Sequence, residues 1–346
     1  MTRRVRAGVI GLGVGEQHIR GYRAHPDCEV AAICDIDPDK LAEVAARHPG
    51  PRATVDPADV LADPAIDLVS ICSYDDAHHG QIVAALEAGK HVFVEKPVCL
   101  LRSELDDIAA RLAARPHLRF SSNLILRRAP RFRDLRATIA AGLLGRVYQI
   151  EGDYNYGRLH KITEGRRGRV PHYSVMLGGG VHLIDLMMWL TGARVTEVAA
   201  FGGRIATAGR DLPFDDAVTA ILRFESGAIG KVSANFGCVY PHFHRLSVYG
   251  TEATFENDVG GGRLFTSRDP AEAPHAIDSP YPGTNKGDML AAFVDAILGR
   301  GEPEVPATEV LATMFACLAI EDALHAGETR SVRYPEFASP PFRQRP

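Results

Sequence analysis

The sequence predicts an α/β domain with a doubly wound parallel sheet, followed by an α+β domain built on a large, mostly antiparallel open sheet. Three observations support this prediction. Short runs rich in Val and Ile alternate with helical patterns up to about residue 123, longer strands with polar alternation follow, and two helical patterns close the chain. A chain of 346 residues has room for two cores. We therefore predict domains at 1–123 and 124–346.

Strands and helices alternate strictly in the first domain, which is typical of a parallel sheet with right-handed crossovers. The predicted buried strands are Val5–Ile10, Val30–Cys34, Leu68–Cys72, His91–Val94 and one near 119–123. The predicted helices are Pro38–Arg47, Gln81–Ala88 and Leu101–Ala114.

Neighbouring strands with short turns dominate the second domain, which is typical of an antiparallel sheet. The predicted strands are Val147–Tyr156, Val195–Arg204, Ala217–Phe224, Gly230–Phe236 and Leu246–Tyr249. Val259–Lys286 is dense in Gly and Pro, so we predict a surface loop with a possible hairpin there. The closing helices are predicted at Asp288–Leu298 and Thr308–Ala326.

Composition excludes several classes of protein. The net charge is −4 and 46% of the residues are apolar, which argues against a nucleic-acid or membrane-surface binder and against a disordered chain. No apolar run reaches the length of a membrane span. The opening Met1-Thr2-Arg3-Arg4 is predicted to lead into a strand and not to be a signal peptide. Six scattered cysteines without a C-x-x-C pair favour the cytoplasm.

A glycine-rich turn after the first strand predicts a dinucleotide site. Gly11, Gly13, Val14 and Gly15 lie in this turn, whose amide groups can approach a pyrophosphate at a helix N-terminus. The third glycine of G-x-G-x-x-G would fall at position 16, which is Glu16.

Asp35 follows the second strand, 20 residues beyond Gly15. A carboxylate there accepts hydrogen bonds from a ribose 2′-hydroxyl and repels a 2′-phosphate, so it favours NAD over NADP. The alternative is that Asp35 only starts the turn Asp35-Ile36-Asp37-Pro38.

Two blocks give the chain a family resemblance. Ala85–Pro97 contains Gly-Lys-His-Val and Glu-Lys-Pro, and Met176–Asp185 contains Gly-x-His-x-x-Asp. With the glycine turn, an Asn-x-x-x-Arg segment ending at Arg127 and the Gly142–Val147 turn, the chain resembles the glucose–fructose oxidoreductase / inositol dehydrogenase / MocA (Gfo/Idh/MocA) family. The resemblance implies an NAD-dependent oxidoreductase that acts on a secondary alcohol or ketone of a sugar, cyclitol or sugar derivative.

The same resemblance implies several site features. Lys96 is the catalytic-site lysine, in a Lys–Pro bond that is commonly cis. The nicotinamide side of the cofactor site includes Ser73, Tyr74, His78, Glu95 and Lys96, and the substrate site includes Lys96 and Arg127. The C-terminal sheet forms the interface of a homodimer or homotetramer, for which Phe236, Tyr240 and Phe243 are candidates.

The sequence departs from the family pattern at two places. Gly178 stands where the family often has an Asp, four residues before His182, so the usual Lys–Asp–His trio is incomplete. Ser73-Tyr74-Asp75-Asp76 replaces the usual Thr/Ser-Pro-Asn, although His78 still matches that segment.

The remaining residues suggest a mechanism. Lys96 would polarise the reacting oxygen, His182 would accept the alcohol proton, and Asp185, three residues further on the same helix face, would orient the imidazole. For each residue there is a structural alternative: a surface lysine, a core histidine, and an aspartate bonded to nearby backbone.

A basic segment precedes the helix that carries His182. Five Lys and Arg fall within the twelve residues 158–169, which predicts either a loop that recognises an anionic substrate or a solvated loop. We predict substrate contacts from Tyr156, Arg166, Arg167, His172 and Tyr173, in addition to His182. His242-Phe243-His244 has no third ligand spaced nearby, so no metal site is predicted.

Two other functions remain open at this point. One is a glycosidase or lyase that uses NAD only for transient oxidation and elimination. The other is a dinucleotide-binding regulator without catalysis, which the missing acid at position 178 leaves open.

Overall fold

The computed structural model describes residues 4–336, which form two compact units. The first contains the described residues up to Ile125 together with Asn285–Leu311. The second contains Leu126–Thr284 and the described residues from Ala312 onward. The first three residues of the opening segment and 337–346 of the predicted second domain lie outside the described residues.

A six-stranded parallel sheet forms the core of the first unit. Its strands are β1 (Val5–Ile10), β2 (Cys28–Cys34), β3 (Arg52–Thr54), β4 (Leu68–Ile71), β5 (His91–Val94) and β6 (Phe120–Ser122). The order β3-β2-β1-β4-β5-β6 is that of dinucleotide-binding sheets. This order confirms the predicted doubly wound sheet. Its strands are continuous apolar runs because both faces of a parallel sheet are covered by helices.

Helices connect these strands: α1 (Gly15–Arg23), α2 (Pro38–Arg47), α3 (Pro57–Leu61), α4 (His78–Glu87) and α5 (Arg102–Ala113). Helix α2 begins where Asp37 accepts hydrogen bonds from the amides of Asp39 and Lys40. The sequence prediction missed β3 and α3, which have three and five residues and are too short to show a period.

A nine-stranded sheet forms the core of the second unit. Its strands are β7 (Val147–Asn155), β8 (Val195–Gly203), β9 (Ala217–Phe224), β10 (Ile229–Asn235), β11 (Phe243–Gly250), β12 (Thr254–Asp258), β13 (Gly261–Phe265), β14 (His275–Ile277) and β15 (Arg330–Ser331). The order is β14-β13-β12-β11-β7-β10-β9-β8-β15. Only the β7–β10 pair is parallel among these strands, so the predicted mostly antiparallel sheet is confirmed.

The sheet extends into the region that the sequence predicted as a surface loop. Strands β12 and β13 form an antiparallel hairpin, and β14 pairs with β13. Beyond them, the Tyr281 ring packs 5.3 Å from that of Phe132. The hairpin prediction was therefore right, but the loop prediction was too broad, because glycines also occur inside a strand such as β13.

Phe236 does not lie on an exposed sheet face. It is 2% exposed and stacks on Tyr156 at 4.4 Å between ring centroids. The interpretation of Phe236 as an interface residue was therefore wrong, since the residue that follows β10 turns towards the helix-covered side. Tyr240, by contrast, is 36% exposed.

Helices α6 (Pro130–Ala140), α7 (His160–Thr163) and α8 (Val181–Thr191) also belong to the second unit. Helix α8 is apolar on almost every side and nearly all of it is buried. Gly152 of β7 lets the helix approach the sheet, because a Cβ there would lie 2.8 Å from Met187 Cε. The helix ends at Gly192, whose φ of 64° is the left-handed conformation that favours glycine after a helix.

Helix α9 (Leu290–Ile297) returns to the first unit. Phe293 packs against Phe93 of β5 at 5.4 Å between ring centroids, and a Cβ on Gly21 of α1 would lie 2.8 Å from the Gly287 carbonyl oxygen. Residues 285–311 thus pack with the first unit, although they follow the predicted boundary near residue 123. Burial of Phe293, which is 1% exposed, is the physical reason.

Helix α10 (Ala307–Ala326) follows α9. Within residues 4–336 no helix is both long enough and apolar enough to cross a membrane.

Candidate active site

Three glycines shape the turn between β1 and α1 in different ways. Gly11 has φ +86°, and a Cβ there would overlap the Cys72 carbonyl. Gly13 has nothing within 4 Å of the place of a Cβ, so a ligand can approach its backbone. Gly15 allows α1 to pack on β1, because a Cβ would lie 2.9 Å from Val9 Cγ1. These are the three functions that glycines serve in a pyrophosphate-binding turn, so the turn fits a dinucleotide.

The N-terminus of α1 faces this turn. Val14 is its N-cap and makes no side-chain capping bond, so the first amides of the helix are suited to an anion. Glu16 occupies the position of the missing third glycine, but Arg47 Nε and Nη2 each donate to its carboxylate at 2.9 Å. The Arg47 hydrogen bonds lower the pKa of Glu16 to about 2, against the opposing effect of burial, and His48 assists. The negative charge of Glu16 is therefore offset by Arg47.

Asp35 lies beside the same turn. The Leu12 amide donates to its Oδ2 at 2.7 Å, and the Asp37 amide donates to its Oδ1 at 3.0 Å. The carboxylate thus fixes the glycine turn to the end of β2 and also forms the turn that leads into α2. Each oxygen keeps acceptor capacity for a ribose hydroxyl.

Ser73, Tyr74 and His78 follow β4. The Ser73 hydroxyl donates to Gln81 at 2.8 Å, and Tyr74 is 41% exposed. His78 is fully buried, with ring nitrogens 2.7 Å from the Pro97 carbonyl oxygen and 3.2 Å from that of Ser73. We interpret His78 as a residue that holds the Lys96 segment against the end of β4.

A buried polar network surrounds Glu95 at the end of β5. Asn123 Nδ2 donates to Glu95 Oε1 at 2.7 Å and to the Lys286 carbonyl at 3.0 Å, and His18 Nε2 lies 3.4 Å from the same Glu95 oxygen. Burial alone would raise the pKa of Glu95, but attraction by Lys286 and the hydrogen bond from His18 outweigh it, so the pKa lies well below its usual value. Glu95 therefore remains ionised and holds the strand end in place.

Lys96 comes directly after this network and is 8% exposed. Its peptide bond to Pro97 is cis, as the family resemblance implies. Its charge also lowers the pKa of Glu95. Lys96 therefore follows β5 at the carboxyl end of the sheet, which is where ligands bind in such folds.

In the second unit His182 is the second residue of α8 and is 5% exposed. Its ring lies 6.4 Å from that of Tyr154, nearly parallel, and 5.9 Å from that of His244. His244 Nδ1 lies 2.6 Å from the Tyr281 hydroxyl. Burial raises the pKa of Tyr281, so its hydroxyl stays protonated at neutral pH and can donate a hydrogen bond to His244 Nδ1.

Asp185, one turn further along α8, forms a buried ion pair. Arg127 donates from Nε to Oδ2 at 2.9 Å and from Nη2 to Oδ1 at 2.5 Å. The Thr313 hydroxyl donates to Oδ1 at 3.2 Å. The side chains of Arg127 and Asp185 are 2% and 0% exposed, so this pair fixes α8 from inside the unit.

The basic segment has an exposed part and a part turned towards aromatic rings. Arg166 and His172 are exposed, and His172 has a left-handed φ of 59°. Arg167 Cζ lies 6.0 Å from the Tyr173 ring centroid, and Arg158 Cζ lies 5.9 Å from that of Tyr156.

Tyr156 and Tyr173 are both buried, at 8% and 3% exposed. Burial raises the pKa of Tyr156, and the charges of Arg167 and Arg158 oppose this rise. Both phenols are therefore polar groups inside an aromatic cluster whose outer side carries positive charge.

No group of three or more His, Cys, Asp or Glu side chains is arranged to hold a metal ion in the described part of the chain. His242 and His244 have ring centroids 5.1 Å apart, and both lie edge-on to Tyr154, so they belong to the aromatic cluster.

Two family models match the chain, one in each unit. Residues 5–123 match the model of the oxidoreductase family with an NAD-binding Rossmann fold, and residues 132–256 match the GFO/IDH/MocA C-terminal domain. The scyllo-inositol 2-dehydrogenase (NAD(+)) of Bacillus subtilis is 30% identical over 265 residues, which are 73% of this chain and 74% of that protein. The chain belongs to the Gfo/Idh/MocA family.

Two further proteins are similar to this chain. The myo-inositol 2-dehydrogenase of Thermotoga maritima is 29% identical over 271 residues, or 75% of each chain. A solved structure of levoglucosan dehydrogenase with NADH and levoglucosan has a TM-score of 0.84 and 20% identity, and covers 96% of this chain and 100% of that one. The structural match extends the similarity of fold over both units of this Gfo/Idh/MocA protein.

Sequence reasoning missed several residues of the site. It did not single out His18 and Lys286 around Glu95, or Thr313 beside Asp185. A histidine on the inner face of α1 was a detectable signal for His18. The others come from segments more than a hundred residues away in the chain, and no spacing rule indicates them.

Proposed function

We propose that this protein interconverts a secondary alcohol and a ketone on a sugar, cyclitol or sugar derivative with NAD. The observation that carries the proposal is the position of Lys96. It is buried at the carboxyl end of β5, next to the polar network around Glu95. The inositol dehydrogenases among the relatives support the substrate class.

The chain's own residues have distinct roles in this proposal. Bound NAD supplies the acceptor or donor of a hydride. Lys96 holds the reacting oxygen with its ammonium group, and His182 takes the proton that the alcohol releases on oxidation or returns it on reduction. Arg127 and Asp185 fix α8 and thereby the imidazole.

The test is incubation of the protein with NAD and a panel of probes that comprises myo-inositol, levoglucosan, an inositol monophosphate and glucuronate. Formation of NADH is measured beside release of an aglycone from aryl glycosides. NADH formation is the expected result. Glycoside cleavage without net NADH would indicate transient oxidation, and NAD binding without either reaction would indicate a regulator.

Asp35 is expected to determine the preference for NAD over NADP. Asp35→Ala should weaken NAD binding about 10- to 100-fold, because a hydrogen bond to a charged group is lost, while NADP binding is retained or improved. Dissociation constants from fluorescence titration measure both. Asp37→Ala is the matched control, since Asp37 caps α2 and should leave the NADP-to-NAD ratio unchanged. An unchanged ratio in Asp35→Ala would contradict the assignment.

The basic segment favours an anionic group on the substrate. Arg167 packs over Tyr173, whereas its neighbour Arg166 is exposed. Arg167→Ala should therefore raise the KM for an anionic probe about 10- to 100-fold, and Arg166→Ala should change it less than about 3-fold. Both substitutions remove one positive charge from neighbouring positions, so each controls for the change in net charge. Equal effects on KM would favour a solvated loop over a specific contact from Arg167.

We also propose a cytoplasmic homo-oligomer that assembles through the C-terminal sheet. Phe201 of β8 and Ile221 of β9 expose large apolar side chains, at 82% and 49%. All six cysteines are free thiols and four of them are buried, which suits a reducing compartment. Sedimentation of the wild type beside a Phe201→Glu/Ile221→Glu variant tests the interface.

A further inference from the structure

Three consecutive glycines, Gly178–Gly180, precede the helix that carries His182. They lie in a single π-helical turn, Met176–Gly180, which runs directly into α8. Such turns are rare overall, and those that occur are often at functional sites. The first of these glycines is the position where the family often carries an Asp.

Tyr173 fills the space that a side chain at position 178 would need. A Cβ on Gly178 would overlap the Tyr173 hydroxyl oxygen and Cζ, and would lie 2.8 Å from Cε2. No real Cβ tolerates such contacts with a buried ring, so the glycine and the tyrosine depend on each other. His172, with its left-handed φ of 59°, turns the chain immediately before Tyr173.

The Tyr173 ring belongs to the same aromatic cluster as His182. Tyr173 lies 6.5 Å from Phe236, Phe236 lies 5.9 Å from Tyr154, and Tyr154 lies 6.4 Å from His182, between ring centroids. Positions 178 and 182 are four residues apart along one helical run, so side chains there share a face. The Tyr173 hydroxyl occupies the place of a side chain at position 178, so it lies on the helix face that carries His182.

We propose that the Tyr173 hydroxyl replaces the absent acid at position 178 as the polar group that contacts the substrate beside His182. This inference rests on the proposed function. A phenol both donates and accepts a hydrogen bond and is uncharged at neutral pH, whereas a carboxylate only accepts and is negative. With Arg167 over its ring, a neutral Tyr173 removes the repulsion that an Asp would exert on an anionic substrate.

The experiment exchanges the two groups. Tyr173→Phe should lower kcat/KM about 10- to 100-fold for the probe that the wild type oxidises, because a substrate hydrogen bond is lost while the ring remains. Tyr173→Ala/Gly178→Asp should recover at least 10-fold over Tyr173→Ala with a neutral probe such as myo-inositol, and less with glucuronate. Tyr334→Phe is the control, since it removes a hydroxyl bonded to the Val195 carbonyl in the same unit.

A stability measurement tests the geometry without any substrate. Gly178→Asp should lower Tm much more in the wild type than in Tyr173→Ala. Only in the wild type would the new side chain clash with the Tyr173 phenol. Equal losses in the two backgrounds would overturn the inference, as would wild-type kcat/KM in Tyr173→Phe. Absence of NADH formation by the wild type with every probe would instead refute the proposed function itself.

Discussion

Lys96→Ala is expected to lower kcat/KM about 10³-fold while NAD binding changes little. A preorganised ammonium group at the reacting oxygen stabilises charge that develops in the transition state, and removal of such a group typically costs this much. Steady-state kinetics with the oxidised probe and NAD titration measure the two effects. Lys96→Arg keeps the charge in a different shape and should recover only part of the rate.

The control for this prediction is Lys90→Met. Lys90 is also buried, but its ammonium donates to the carbonyls of Asp63 and Ile66, so its loss should reduce stability and leave kcat nearly unchanged. Wild-type activity in Lys96→Ala would contradict the assignment of Lys96.

A double substitution shows whether Lys96 and His182 act on the same step. His182→Ala alone should lower kcat/KM about 10²- to 10⁴-fold. If the two groups serve one proton and hydride transfer, Lys96→Ala/His182→Ala should cost little more than the worse single variant. Fully additive losses in the double variant would indicate that Lys96 and His182 act independently of each other.

Arg127→Ala is expected to cost about 3–5 kcal/mol of unfolding free energy, the second large effect. It removes the guanidinium group that pairs with the Asp185 carboxylate, whose side chain is 0% exposed. Urea unfolding followed by circular dichroism measures the change. Because a well-packed apolar pair can replace a buried ion pair, Arg127→Met/Asp185→Leu should be clearly more stable than Arg127→Ala.

An exposed ion pair provides the comparison. Arg223 and Glu197 have side chains 67% and 41% exposed, so Arg223→Ala should cost less than about 1 kcal/mol. Equal losses for Arg127→Ala and Arg223→Ala would contradict a structural role for the buried pair. The ion pair indicates that Arg127 positions α8, and contact of Arg127 with the substrate stays a prediction.

Local patterns were sufficient to predict most of the fold. Strand β4 is buried at every residue, so its apolar run indicates a two-sided environment directly. A glycine, Gly192, marks the C-terminal end of helix α8 in the sequence. Strand β3, by contrast, is three residues long and mostly exposed, and it forms because β2 offers it a partner.

The site was predictable only where a motif carries the chemistry. The glycine turn and the Lys96 block have fixed spacings that follow from phosphate and strand geometry. The partners of Asp185 do not, since Arg127 and Thr313 lie 58 and 128 residues away from it. Tyr173 was named from the sequence, but its relation to Gly178 depends on ring placement that no spacing rule describes.

The return of α9 to the first unit determines how this enzyme can be recombined with its relatives. Because the chain changes unit after Ile125, Thr284 and Leu311, a fragment that stops at the first junction would lack Phe293, which packs against Phe93. A chimaera designed to exchange substrate preference must therefore transplant 126–284 together with the described residues from Ala312 onward, and keep 285–311 from the recipient.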